Sequence, residues 1–284
     1  MTDCAEHIIE DAVEGATVEG TAESFAAAEV PERTLAMKVS YRGAAFAGFA
    51  RQPELLTVQG ELERALAMLL GRPVETTCAG RTDAGVHALG QVVSFDVSND
   101  ELEQADLYRM RRSLNAITHE DIAITELEER EPGFSARFDA KAREYRYFLH
   151  LGKVPPVFAR DFCWHVGCDL DVPAMERASR CLIGEQDFKS FCRASSAIDK
   201  PTCRNVMDVS FDTAQLLGEE LLAVRVVGSS FLHSMVRTIV GSLVMVGKGQ
   251  RSEEWLAEAL AACDRTAAGE TAPAQGLVFW NVRY

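Results

Sequence analysis

The chain is short of lysine, of paired cysteines and of long apolar runs, and each shortage excludes something. No apolar stretch approaches the ~20 residues that a membrane-crossing helix needs. The most apolar one, residues 239–246, is broken by Gly241 and Ser242 and reads as a buried helix. The first residues show no basic segment followed by an apolar core, so no secretory leader is expected and a cytoplasmic location is. Eight cysteines are scattered without a Cys-x-x-Cys pair. Cys163 and Cys168, even with His165 between them, do not complete a tetrahedral donor set. These thiols read as reduced, small core residues, and no metal site is expected. Lysine numbers six against 23 arginines. Such an acidic, lysine-poor composition fits a high-salt cytoplasm or a gene rich in G and C, two readings that unfolding curves at low and molar salt separate.

The net charge of −14 argues at first against a polyanionic partner, but its distribution matters more. Residues 1–33 hold nine acids and one base, Arg33, with no periodic apolar spacing, and read as a disordered acidic extension. Without that segment 34 acids face 28 bases, a charge of −6. The bases also cluster, in Arg109, Arg111 and Arg112 and again in Arg137, Lys141, Arg143 and Arg146. Local basic surface in an acidic whole is compatible with nucleic acid, although each cluster alone also fits a solvated face.

Globular pattern begins at Leu35, where residues 35–41 alternate apolar and polar as a strand. Val58, Leu62, Ala65, Leu66 and Leu69 follow at helical spacing, with Thr57 as the cap and Gly71 as the stop. Residues 74–78 and 91–97 read as strands, the latter with Val93, Phe95 and Val97 on one face. Leu107, Met110 and Leu114 mark a helix, and Ile122 and Ile124 a short strand. Residues 141–151 predict a long strand with Tyr145, Tyr147, Leu149 and Leu151 on one face. Asp171 caps a helix with Pro173 in its first turn and Met175, Ala178 and Leu182 inward. Strands over 206–211, 221–227 and 277–282 complete the pattern, with one helix carrying Phe231, Met235, Ile239, Leu243 and Val246 on a face and another opened by Ser252. The lack of a strict βαβ rhythm favours an α+β fold with mostly antiparallel sheet. The expected division is the extension 1–33, an N-terminal lobe over 34–140 and a C-terminal lobe over 141–284.

The most informative segment is Gly80-Arg81-Thr82-Asp83-Ala84-Gly85-Val86-His87, which sets Asp83 in a loop between two strand candidates. Glycines there permit tight turns and the close approach of a ligand. From the residues alone, Asp83 reads equally as a turn aspartate making local hydrogen bonds.

The same eight residues resemble the signature loop of tRNA pseudouridine synthases of the TruA type. Further segments agree in chain order: Tyr41-Arg42-Gly43 with Gly48 to Gln52, Val58-Gln59-Gly60-Glu61-Leu62, residues 134–147, Gly184 to Phe188, residues 231–242, and Gln275-Gly276-Leu277. The resemblance runs from about Leu35 to Tyr284 and leaves out only the acidic extension. Phe49 stands where the family usually has tryptophan, and Ala88 and Ser94 also depart from common choices without removing a reacting group.

The resemblance implies a pseudouridine synthase fold, two lobes flanked by helices around an RNA-binding cleft with Asp83 at its floor. It implies isomerisation of uridine in the anticodon arm of tRNA, at positions 38–40, with no metal, nucleotide or redox cofactor. A homodimer binding tRNA across both subunits goes with it. Asp83 would attack or stabilise the anomeric carbon, or abstract a sugar proton to give a glycal; the residues leave both routes open. Arg237 would hold the carboxylate ionised, which its apolar neighbours Val236 and Ile239 favour over a surface role. Tyr145 would stack on the target base and help remove the C5 proton, although Tyr147 offers the same side chain two residues on. Arg81 would help flip the base, and Arg143 and Arg146, with Arg111 and Arg112 behind them, would meet phosphates. His87 and His233 are expected in structural hydrogen bonds. A base-releasing glycosidase, a tRNA-folding chaperone and a synthase acting on other RNA sites remain alternatives, and replacement of Asp83 separates catalysis from chaperoning.

Overall fold

The alternation that opens the globular region forms β1 (Arg33–Tyr41), whose Leu35, Met37, Val39 and Tyr41 point to one buried face. The computed structural model describes residues 32–284 apart from 197 and 199, so all but the last two positions of the expected acidic extension lie outside the described residues. Thr57 accepts from Gly60 N and caps α1 (Val58–Leu70), and Gly71 ends it at φ 72°, the left-handed stop that glycine favours. Leu69 departs from expectation: it is 37% exposed, rotated off the face formed by Val58, Leu62, Ala65 and Leu66.

The next strand, β2, is only Thr77–Cys78 rather than 74–78, and it pairs with β3 (His87–Val97). A capping box at Ser98 starts α2 (Asn99–Glu103), and Asp106 caps α3 (Leu107–Ile117). The strand expected around Ile122 and Ile124 runs on as β4 (Ile122–Arg130). Then come β5 (Ala142–His150), β6 (Trp164–His165), α4 (Val172–Ser179) with Asp171 as its cap, and β7 (Gly184–Asp187). A long hairpin of β8 (Cys203–Leu216) and β9 (Glu219–Gly228) precedes α5 (Met235–Gly247), α6 (Glu253–Ala261) and β10 (Leu277–Arg283).

The strands form one sheet in the order β4-β1-β3-β10-β5-β9-β8-β7, with β2 added on β3 and β6 on β5. All pairings are antiparallel except β3 with β10 and β5 with β6, so the α+β architecture is borne out. The last strand therefore lies between the strands of the two chain halves. Register places Met37 opposite Val93, Phe279 opposite Tyr145, and Tyr147 opposite Val224, which makes one continuous apolar face. Helix α5 is buried almost all round, as an evenly apolar helix must be. A Cβ at Gly241 would come within 1.8 Å of Glu270 O, so glycine there lets the segment ending at Ala272 lie against the helix. Phe231, expected on the α5 face, precedes the helix and packs edge-on against Tyr145 instead.

Candidate active site

The loop between β2 and β3 is fixed before any substrate arrives. The fully buried Gln91 donates from Nε2 to Gly80 O (2.6 Å) and accepts from Gly80 N (3.3 Å). A Cβ on Gly80 would lie 2.8 Å from the Phe279 ring and 3.5 Å from the Tyr145 hydroxyl. Phe49 N donates to Thr82 O at 3.0 Å, and the Tyr41 hydroxyl and Thr82 Oγ1 are 2.7 Å apart. Val86 N donates back to Asp83 O (3.2 Å), with Gly85 at φ 79° closing the turn.

That scaffold aims Asp83 at the start of α5. Its Oδ2 accepts from Arg237 Nη1 and Ser234 Oγ, each at 2.9 Å, and its Oδ1 lies 3.1 Å from His233 Nε2. Arg237 is itself held, donating from Nε to Ala272 O at 2.8 Å. Ser234 occupies the cap position of α5 at φ 61°, a left-handed conformation costly for a residue with a Cβ. One pentapeptide, residues 233–237, thus delivers a cation, an imidazole and a hydroxyl to one carboxylate, at the positive end of a helix. The Asp83 side chain keeps 23% exposure, so a substrate can reach it.

Tyr145 faces the same space, edge-on to Phe231 (5.2 Å) and Phe279 (4.9 Å). Burial raises its phenol pKa well above the ordinary range, with Tyr41 and the Asp83 charge adding to the effect. Tyr147 is separated from it: its hydroxyl donates to Pro273 O at 2.8 Å and its ring packs against Gly276. The two tyrosines, alike in residue type, thus sit in different surroundings.

Around Asp83 opens a cleft of about 1270 Å³, above the roughly 300–1,000 Å³ typical of small-molecule sites. Arg81, Arg137, Arg143, Arg193, Arg204, Arg237 and Arg265 line it, and Asp83 is its only acid among the described residues. In a chain of net charge −14, that is a strongly segregated field.

The expected RNA contacts fare differently. Arg81 is exposed in the cleft and makes no hydrogen bond or ion pair with any described residue. Arg143, expected at phosphates, lines the cleft with little of its side chain exposed. It is buried, and its guanidinium donates to the carbonyls of Ala79, Ala140, Ser229 and Arg137, which ties the strand before the Asp83 loop to its neighbours. Arg146 lies apart from Asp83, because the two-residue period of β5 sends it to the opposite sheet face from Tyr145. There it pairs with Glu144 at 2.9 Å and lies 4.1 Å over the Trp280 ring. Arg111 and Arg112 sit on α3 away from the cleft, Arg111 donating to Thr125 O.

His87 makes the structural bonds expected of it. Gly43 N donates to its Nδ1 at 3.1 Å, which leaves Nε2–H to donate to Asp161 O at 2.9 Å, and burial lowers its pKa. From the sequence alone, Ser234 and Gln91 carry no assigned role and His233 only a structural bond. The adjacency of His233 and Ser234 to Arg237 was the available signal; Gln91 gave none beyond its place in a strand.

A single reachable carboxylate, pinned by a guanidinium at the floor of an arginine-lined groove, defines an enzyme for a substrate with many negative charges. The family described as tRNA pseudouridine synthase matches residues 37–139 and 178–284, more than half of the chain, and the chain belongs to that family. The resemblance read from the 80–87 loop is borne out. Among curated relatives, tRNA pseudouridine synthase A of Brevibacillus brevis is 43% identical over 246 residues, 87% of this chain and 97% of the relative. That of Geobacillus sp. is 41% identical over 251 residues (87% and 96%), and that of Bacillus subtilis 41% over 249 (87% and 97%).

Proposed function

We propose that the protein isomerises uridine to pseudouridine in tRNA, with Asp83 as the carboxylate that acts on the target ribose. The observation that carries the reading is the Asp83–Arg237 contact inside an arginine-lined cleft. In the reaction the C1′–N1 bond of uridine breaks, the uracil turns, C1′ bonds to C5, and the C5 proton leaves while N1 ends protonated. Nothing is oxidised and no atom is lost, so no cofactor is called for. An ionised carboxylate serves either route, attack at C1′ or removal of the C2′ proton, and Arg237 and Ser234 hold its Oδ2 in place.

Tyr145 would stack on the extruded base, a contact worth about 1–3 kcal/mol against the few kcal/mol of unstacking, and its place in the Asp83 cleft supports that role. Its raised pKa keeps it a neutral phenol, suited to stacking and to relaying a proton rather than serving as a standing phenolate. Arg81, uncommitted and on the same loop, suits the flipped nucleotide or its phosphate. The reading of two lobes, 34–140 and 141–284, is supported by the cleft lining, which takes Asp83 and Arg81 from the first and Tyr145 and Arg237 from the second. Family resemblance extends the proposal to uridines 38–40 of the anticodon stem-loop, to a homodimer and to the cytoplasm.

Pseudouridine mapping of tRNA from a strain lacking this protein tests the reading. Specific uridines should stay unmodified and recover when the protein is restored, and an unchanged map overturns it.

A further inference from the structure

The two oxygens of the Asp83 carboxylate are held differently, and the difference has a chemical consequence. Oδ2 carries both fixed partners, Ser234 Oγ and Arg237 Nη1. The arginine is locked by Ala272 O and is only 18% exposed; the serine is set by the strained backbone of the helix cap. Oδ1 meets a different kind of partner, His233 Nε2 at 3.1 Å, on a side chain 39% exposed to the cleft. A ribose approaching Asp83 therefore finds Oδ2 occupied by two fixed groups and Oδ1 covered by a side chain that is 39% exposed.

We infer that His233 is a removable cap on the reactive oxygen of Asp83, a positioning residue that holds Oδ1 in the empty cleft and yields it to the ribose. The inference rests on Asp83 being the acting carboxylate. Imidazole suits such a role because its grip changes with protonation. As a cation His233 forms a charge-assisted pair with Asp83 that substrate must break, and as a neutral ring it offers one ordinary hydrogen bond.

His233 stands among guanidinium groups in the cleft. It is the only imidazole among the described lining residues. Asp83 faces it from the β2–β3 loop beside Arg81, with Arg237 on α5, Arg193 and Arg204 before and within β8, and Arg265 beyond α6. Guanidinium groups keep their charge throughout the working range. Burial raises the Tyr145 phenol, and it pushes the Cys78 thiol, which also lines the cleft, up to about 11.

Because the cap must leave before the ribose seats, its protonation weighs on the free enzyme and not on the enzyme–tRNA complex. That appears as an acid limb in kcat/KM and a flat kcat, since the two constants report those two states. The test is tritium release from a tRNA transcript labelled at uridine C5, measured over pH 5.5 to 8.5 for the full-length enzyme, His233→Ala and His233→Gln, with Asp83→Asn alongside. Wild type should lose kcat/KM toward the acid end of that range with kcat unchanged, while both His233 variants stay within about twofold across it. A variant retaining the wild-type acid limb overturns the cap. So does a variant that loses kcat/KM chiefly at low pH, which marks His233⁺ as an attractor of RNA. Activity surviving in Asp83→Asn removes the underlying assignment; an inactive Asp83→Asn with unaltered His233 profiles removes the cap alone.

Discussion

Arg237 donates from Nη1 to Oδ2 of Asp83 at 2.9 Å, joining two residues 154 positions apart in the chain. The contact closes because two stiff parts meet. The Asp83 loop is clamped through Gly80 by Gln91, and Arg237 is clamped through Nε by the segment that Gly241 lets pack against α5. Neither end has much freedom left to lose when substrate binds, which is the preorganisation that catalysis rewards.

Arg237→Lys should therefore behave as a loss rather than a conservative change. The guanidinium serves Asp83 and Ala272 O with different nitrogens, and one ammonium on a flexible stem cannot reproduce both directions. kcat should fall by about 10²-fold or more, roughly the loss from removing one preorganised donor. Circular dichroism should show an intact fold, and a Lys variant with near-normal kcat counts against a geometric role.

Gln91→Leu should cost stability before chemistry. The side chain bonds the N–H and C=O of Gly80, and its removal strands two part-buried polar groups at up to about 1–3 kcal/mol each. Thermal unfolding should fall by roughly 5–15 °C, following the ~2–4 °C per kcal/mol of a chain this size. Gln91→Glu, which keeps the acceptor and loses the donor, should fall between.

The tyrosines should separate stability from catalysis. Tyr147→Phe loses the bond to Pro273 O and should cost about 1 kcal/mol with little effect on turnover. Tyr145→Phe keeps the ring and its edge contacts, so its melting temperature should match wild type while kcat drops by about 100-fold, a typical proton-relay contribution. Equal kcat in both variants removes the Tyr145 hydroxyl from the chemistry.

His87 should make stability pH-dependent. Its pKa is lowered from 6.5 in the fold, mainly by burial, so the unfolded chain binds the proton more readily. The stabilisation is complete above the unfolded value of 6.5 and drains as pH falls from there toward the depressed native value. Denaturant midpoints should decline on acidification through that window, and less steeply in His87→Gln.

What could be read from the chain depended on whether local residues decide the outcome. Thr57 and Gly71 bracket α1, and Asp171 and Ser252 open α4 and α6, because caps and left-handed stops act within a few residues. The length of β4 could not be read that way. Glu126, Glu128, Glu129 and Arg130 show no apolar period, and their strand is set by pairing with β1, with Lys38–Glu126 and Arg33–Glu129 contacts along it. Arg146 shows a related limit: clustered bases on a strand point to both faces, and the one that reached the Trp280 side could not meet Asp83. The Asp83 loop was visible through its resemblance, whereas Ser234 earns its place through a strained backbone torsion that no residue type announces.

The most direct measurement is single-turnover conversion of tRNA by purified Asp83→Asn at saturating enzyme. Asparagine keeps the volume and can still accept from Ser234, but it can neither form an ester nor take a proton. Pseudouridine formation should fall by at least about 10⁴-fold while tRNA binding and melting behaviour stay close to wild type, as when an essential reacting group is removed. Conversion within tenfold of wild type contradicts Asp83 as the group that acts on the ribose.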